Sequence, residues 1–152
     1  MKNICIGLFE GETLPESLAA FKDVKLDLEF GKITTIHTLN QLDCEKIVVV
    51  GLGDGKKNIK EAFSKVEADD YFVYVNENTA YAAGFGLVYG AYSYKETKVY
   101  DFESDGFTAE FEKGKTVALI VNHAREMSDM PANVLTPDHL VDGAKVGSEK
   151  YG

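Results

Sequence analysis

Lys46-Ile47-Val48-Val49-Val50-Gly51-Leu52-Gly53-Asp54-Gly55 is the stretch that decides the fold. Four successive β-branched residues, Ile47 to Val50, favour a strand. They do not alternate with polar residues, so both faces must be covered, and the strand belongs in the middle of a sheet. The glycines at 51, 53 and 55 then turn the chain. Asn58 is a good helix N-cap, and Glu61 follows three residues later in the capping-box position. Ile59, Ala62, Phe63 and Val66 stand at i, i+3, i+4 and i+7, which is one apolar helical stripe. Tyr71 to Val75 is β-rich again. Strand, helix and strand make a βαβ unit with an expected right-handed crossover. The predicted class is α/β.

The flanks extend this pattern. Asn3 to Phe9 reads as a first strand, and Leu14, Leu18 and Phe21 have the spacing of a short helix. Leu26, Leu28 and Phe30 alternate with charged residues, which predicts a half-buried strand. After the Gly31-Lys32 turn, Ile33 to Leu39 reads as its hairpin partner. A second helix is expected from Asn78 to about Tyr94. Its glycines cost about 1 kcal/mol each relative to alanine, so they require a packing reason, and close approach to the sheet is the expected one. Tyr81, Phe85, Tyr89 and Tyr92 form a large-residue stripe beside them. Val99 to Phe102 reads as a short strand and Glu103 to Gly106 as a loop. Thr116 to Val121 has strand propensity, yet Val117, Ile120, Val121, Ala124 and Met127 fit a helical stripe. No turn signal interrupts the run, which favours one long helix. Thr136-Pro137-Asp138 is a helix start, with Thr as N-cap, Pro at N1 and an acid in the first turn.

Composition narrows the function. The chain has 152 residues with 16 Lys+Arg against 25 Asp+Glu, a net charge of −9. That length suits one domain. The acidic balance argues against nucleic-acid and anionic-membrane binding, both of which need surplus Lys and Arg. No apolar run approaches the roughly 18 residues of a membrane span. Met1 to Gly7 lacks the apolar core and cleavage site of a secretory leader, so a cytoplasmic protein is expected. Cys5 and Cys44 are too few for a disulfide scaffold and read as bystander thiols.

Chemistry-bearing motifs are few. Gly51, Gly53 and Gly55 form a strand-to-helix loop of the kind that can hold an anion on its N–H groups. The spacing fits neither a dinucleotide fingerprint, because Lys56 stands where the third glycine belongs, nor a P-loop. A structural turn and an anion-binding loop both remain open. His123 and Glu126 share a helix face at i, i+3, but further metal ligands at suitable spacing are missing. His37 and His139 have no visible partner. Asp69-Asp70 reads as a solvated turn, and Lys56, Lys57 and Lys60 as a solvated basic face. No catalytic or metal residue is assigned.

One segment is more specific. Ala124-Arg125-Glu126-Met127, followed by Ala132-Asn133-Val134-Leu135-Thr136-Pro137, resembles the domain junction of the leucyl (cytosol) aminopeptidase family. Val49-Val50-Gly51-Leu52-Gly53 and the glycine-rich stretch Gly84 to Tyr94 resemble upstream parts of the same family. The resemblance implies a three-layer α/β/α, macro-domain-like fold with a mixed, largely parallel sheet over residues 1–135. It also implies a helix at Thr116–Ser128. Residues 136–152 would begin a helix leading to a C-terminal catalytic domain. That domain holds two divalent metals, zinc or manganese, in motifs that this sequence does not contain. The implied role is a non-catalytic regulatory or assembly domain of a hexameric exopeptidase, itself without cofactor. The alternative is a small-ligand module of macro-domain type, taking ADP-ribose or a nucleotide at Gly51–Gly55. Some family members bind DNA through this domain, a role that the net charge of −9 argues against.

Overall fold

The computed structural model describes residues 2–93 and 99–129. Five strands form one sheet in the order β2-β3-β1-β4-β5. They are β1 (Asn3–Leu8), β2 (Ile33–His37), β3 (Lys46–Gly51), β4 (Tyr71–Tyr74) and β5 (Phe102–Ser104). β1 lies parallel to both β3 and β4, and β4 lies parallel to β5. β2 alone runs antiparallel, against β3, with Ile33 opposite Val50 and His37 opposite Lys46. The sheet is mixed and mostly parallel, and the class is α/β.

β3 is buried on both faces, as its unbroken apolar run requires. Val48 and Val50 join Cys5, Tyr71, Val73 and Phe102 beneath the helices α1 (Ile59–Ser64) and α2 (Ala80–Gly90). Ile47 and Val49 face the other way with Ile6, Leu8 and Ile36. That second face is covered by a 3-10 helix, Glu16–Phe21, which buries Leu18 and Phe21. Leu14, Leu26 and Leu28 complete the cover. A third helix, α3 (Thr108–Asp129), packs on α2.

Three expectations change. Leu26 to Phe30 is no strand, and it forms no hairpin with β2. The Leu28 carbonyl accepts from the Gly53 N–H at 3.0 Å, so the segment plugs onto the loop after β3, while β3 itself takes β2 as its neighbour. The last strand sits at Phe102–Ser104, so Glu103 and Ser104 belong to the ladder rather than to a loop. The helical glycines serve helix against helix, not helix against sheet. A Cβ on Gly84 would lie 2.2 Å from the Phe111 carbonyl of α3, and one on Gly86 would lie 2.5 Å from the Lys60 carbonyl of α1.

The helix expected at Thr116–Ser128 is present and begins eight residues earlier. The helix start at Thr136-Pro137-Asp138 lies outside the described residues, as do Tyr94 and most of the junction segment. No helix among the described residues is long and apolar enough to cross a membrane.

Candidate functional site

The loop Gly51–Gly55 leaves β3 at the sheet's end and enters α1. Its first three residues are buried, and their donors are committed inside the protein. The Gly51 N–H donates to the Lys32 carbonyl at 2.8 Å, Leu52 to Leu8 at 2.9 Å, and Gly53 to Leu28 at 3.0 Å. A Cβ on Gly51 would lie 2.2 Å from the Glu29 carbonyl. Gly53 and Gly55 have φ of +66° and +84°, values that side chains other than glycine rarely adopt. Close approach and backbone angle therefore account for all three glycines. Further on, the Lys56 N–H is taken by Asp54 Oδ1 at 3.0 Å. An anion at Gly51–Gly53 would find no free N–H.

The lysines after the loop meet aromatic rings. Lys57 Nζ lies 5.2 Å from the centre of the Phe30 ring, and Lys65 Nζ lies 5.8 Å from the same ring. Lys60 Nζ sits 4.8 Å from Phe85 and 5.7 Å from Tyr81. Lys56 pairs with Asp54 at 3.8 Å. An ammonium over a ring face is worth about 0.5–1 kcal/mol at an exposed site. The expected solvated basic face is thus a face of cations resting on rings.

The stripe Tyr81, Phe85 and Tyr89 on α2 is a stack. Neighbouring ring centres are 6.4 and 5.6 Å apart, with planes 21° and 15° apart. These rings are half-buried, and a shallow cleft of about 330 Å³ runs between Phe85 and Tyr89 and the residues Asn58, Lys60, Glu61 and Ser64 of the α1 region. The stack ends at Arg125 of α3. Its guanidinium carbon lies 4.1 Å from the Tyr89 ring centre and 4.3 Å from that of Tyr92. Arg125 Nη1 donates to the Tyr89 carbonyl at 2.9 Å, and Asn122 Nδ2 donates to the Val88 carbonyl at 3.1 Å. The last turn of a helix leaves carbonyls without intrahelical partners. Two side chains of α3 supply those partners for α2. Sequence reading took Arg125 only as part of a family-like motif and missed this role.

The remaining candidates do not converge. His37 is exposed on β2, while His123 and Glu126 lie on α3. His139 lies outside the described residues. Among the described residues no three His, Cys, Asp or Glu side chains stand close enough to hold a metal ion. Dimetal chemistry does not fit these residues. Cys44 is buried, and its carbonyl accepts from the Thr38 hydroxyl. Cys5 is fully buried, which pushes its thiol up to about 12. Neither thiol is set up as a nucleophile.

Asp69 and Asp70 are structural. Burial alone would raise Asp69, but the Asp70 N–H, the Asn3 amide and Lys46 outweigh it and hold the carboxyl below its ordinary value. Asp70 Oδ1 accepts from the Asp101 N–H at 2.8 Å, joining β4 to the approach of β5.

No family model matches the sequence, and no curated protein matches it. Solved structures do. The bottromycin maturation enzyme BotP, in a complex with Mn, superposes with a TM-score of 0.70 at 16% identity. A cytosol aminopeptidase from Coxiella burnetii superposes with a TM-score of 0.64 at 16% identity. The chain has the fold of part of a cytosol aminopeptidase. Each match covers 98% of this chain and 36% of the other. The chain thus spans about a third of the length of the solved chains it matches, and identity at this level speaks for the fold alone.

Proposed function

We propose that the chain is a non-catalytic N-terminal domain, regulatory or assembling, of a leucyl-aminopeptidase-like exopeptidase. The observation that carries the reading is the coverage: nearly all of this chain aligns with only 36% of a cytosol aminopeptidase. The motif Ala124-Arg125-Glu126-Met127 adds to it, because Arg125 has a defined task in joining α3 to α2. The exposed side chains of Leu119 and Ile120, 41% and 44% accessible, give α3 an outward apolar face for a following domain. In this reading the catalytic residues, the two zinc or manganese ions and the peptide substrate belong to that following domain. The parent is a cytoplasmic hexamer of peptide catabolism.

The test is hydrolysis of Leu-p-nitroanilide by the purified 152-residue chain with added Mn²⁺ or Zn²⁺. No turnover is expected, and metal-dependent turnover overturns the reading. The ADP-ribose alternative finds no support in the loop's committed donors. Calorimetric titration with ADP-ribose decides it, with no heat expected at millimolar ligand.

A further inference from the structure

Three Asp-Gly pairs occur in the sequence, Asp54-Gly55, Asp105-Gly106 and Asp142-Gly143, and the last lies outside the described residues. At such a pair the Asp carboxyl neighbours a peptide nitrogen whose own residue has no side chain to shield it. The two described carboxyls are both exposed, but they are held in different ways.

Asp54 stands in the exposed half of the loop between β3 and α1. Its Oδ1 accepts from the Lys56 N–H at 3.0 Å. That bond closes a small ring that contains the Asp54–Gly55 peptide, so the carboxyl is folded back along the peptide it would attack through. The Gly55 N–H has no partner among the described residues. The other contact of the carboxyl is an ion pair with Lys56 at 3.8 Å, both side chains more than half exposed, and such a pair restrains little. Asp105 is tied to another strand instead. Its N–H donates to the Val73 carbonyl at 3.0 Å, and its Oδ1 accepts from the Val75 N–H at 2.9 Å. Turning that carboxyl towards Gly106 breaks a link between the ends of β4 and β5.

We propose that Asp54 is a site of spontaneous covalent rearrangement to isoaspartate, and that the fold favours it over Asp105. The Gly55 nitrogen bonds to Cγ of the protonated Asp54 carboxyl. The carboxyl hydroxyl and the nitrogen's proton leave together as water, and a succinimide ring closes. Water then opens the ring at either carbonyl. Breaking the Cγ–N bond restores aspartate, whereas breaking the bond from the former backbone carbonyl to nitrogen leaves isoaspartate. The water lost is regained, so the product is an isomer and no co-reactant other than water is needed. The main chain is then longer by a methylene between the buried Gly53 and α1, and the Asp54 side chain no longer caps the Lys56 N–H.

Ageing the folded chain for weeks in warm, mildly acidic water enriched in heavy oxygen tests this. Peptide mapping by mass spectrometry follows the uptake of solvent oxygen at each pair. A protein isoaspartyl methyltransferase with S-adenosylmethionine then counts the isoaspartate. Both signals should accumulate at Asp54-Gly55 several-fold faster than at Asp105-Gly106. Asp54→Glu, which lengthens the side chain and disfavours ring closure, should abolish the first site and leave the second unchanged. The same chain in concentrated urea should lose most of the preference, because there neither carboxyl is held. No isoaspartate at Asp54 in the folded chain overturns the proposal. So does an equal or faster rate at Asp105, or a preference for Asp54 that survives undiminished in urea.

Discussion

Arg125 and Tyr89 meet twice. The guanidinium covers the Tyr89 ring at 4.1 Å while its Nη1 bonds the same residue's carbonyl at 2.9 Å. Nη1 also reaches Asn122 Oδ1 at 3.1 Å, so the two capping side chains of α3 hold one another. Arginine suits this place because its planar fork can donate in its plane and stack on its face at once.

Arg125→Ala is therefore expected to destabilise the chain by about 2 kcal/mol, the sum of a charge-assisted hydrogen bond and a partly desolvated cation–ring contact. Arg125→Lys should recover less than half, because an ammonium cannot bond and stack together. Urea denaturation midpoints measure both. Equal stability of the lysine variant and the parent would show that charge alone suffices.

The glycines between helices give a second expectation. A Cβ on Gly84 would meet the Phe111 carbonyl, and one on Gly114 the Tyr81 carbonyl, each at 2.2 Å. Backbone cannot yield as a side chain tip can. Gly84→Ala and Gly114→Ala should each cost about 2 kcal/mol, despite alanine's advantage of about 1 kcal/mol in an isolated helix. Gly106→Ala is the control, since nothing lies within 4 Å of its Cβ position. It should change stability by no more than about 0.5 kcal/mol. Thermal midpoints of the three variants separate contact from propensity.

These glycines also show how far the residues alone could be read. Their cost inside a helix announced a close approach, but not whether sheet or helix came close. Four β-branched residues in a row sufficed to place β3 in the centre, since burial on both faces is a property of the run itself. The alternation at Leu26, Leu28 and Phe30 satisfied the strand period without a ladder, because Leu26 and Leu28 cover the sheet from outside it while Phe30 packs against the opposite core cluster. The early start of α3 was hidden by Gly114 and by Phe107, whose φ of +48° turns the chain into the helix. At the candidate loop, three glycines invited an anion, but which N–H groups are free depends on Leu8, Leu28 and Lys32, far away in sequence. Arg125 was legible as a motif residue, whereas its partner carbonyl 36 residues away was not.

Asn3 ties three parallel strands at one end. Its Oδ1 accepts from the Glu45 and Lys46 N–H groups at 3.1 and 3.2 Å, and its Nδ2 donates to Asp69 at 3.1 Å. Asn3→Ala should cost about 2 kcal/mol by stranding those partners. Asn3→Asp keeps the acceptor but sets a carboxylate against Asp69. It should be destabilised at pH 7 and regain part of the loss as either carboxyl protonates in acid. Because the folded state lowers Asp69, its contribution is complete above the ordinary carboxylate range and is lost as pH falls through the folded value. Asp101, lowered beside Lys2, titrates in the same direction. Asp69→Asn should therefore differ from the parent most at pH 7 and least near pH 2. A gap that widens in acid would contradict this sign.

The turn after β2 carries the last expectation. Leu39 and Asn40 have φ of +49° and +68°, and the Gln41 N–H closes onto the Thr38 carbonyl at 2.9 Å. Two successive positive angles are those of a type I′ turn, which favours Asn-Gly over any branched residue. Leu39 is 80% exposed, so it gains no burial to offset its backbone strain. The double substitution Leu39→Asn with Asn40→Gly should raise stability by about 1 kcal/mol, and Leu39→Asn alone by less. If calorimetry finds the double variant less stable than the parent, the Leu39 side chain must make a favourable contact that compensates its left-handed backbone.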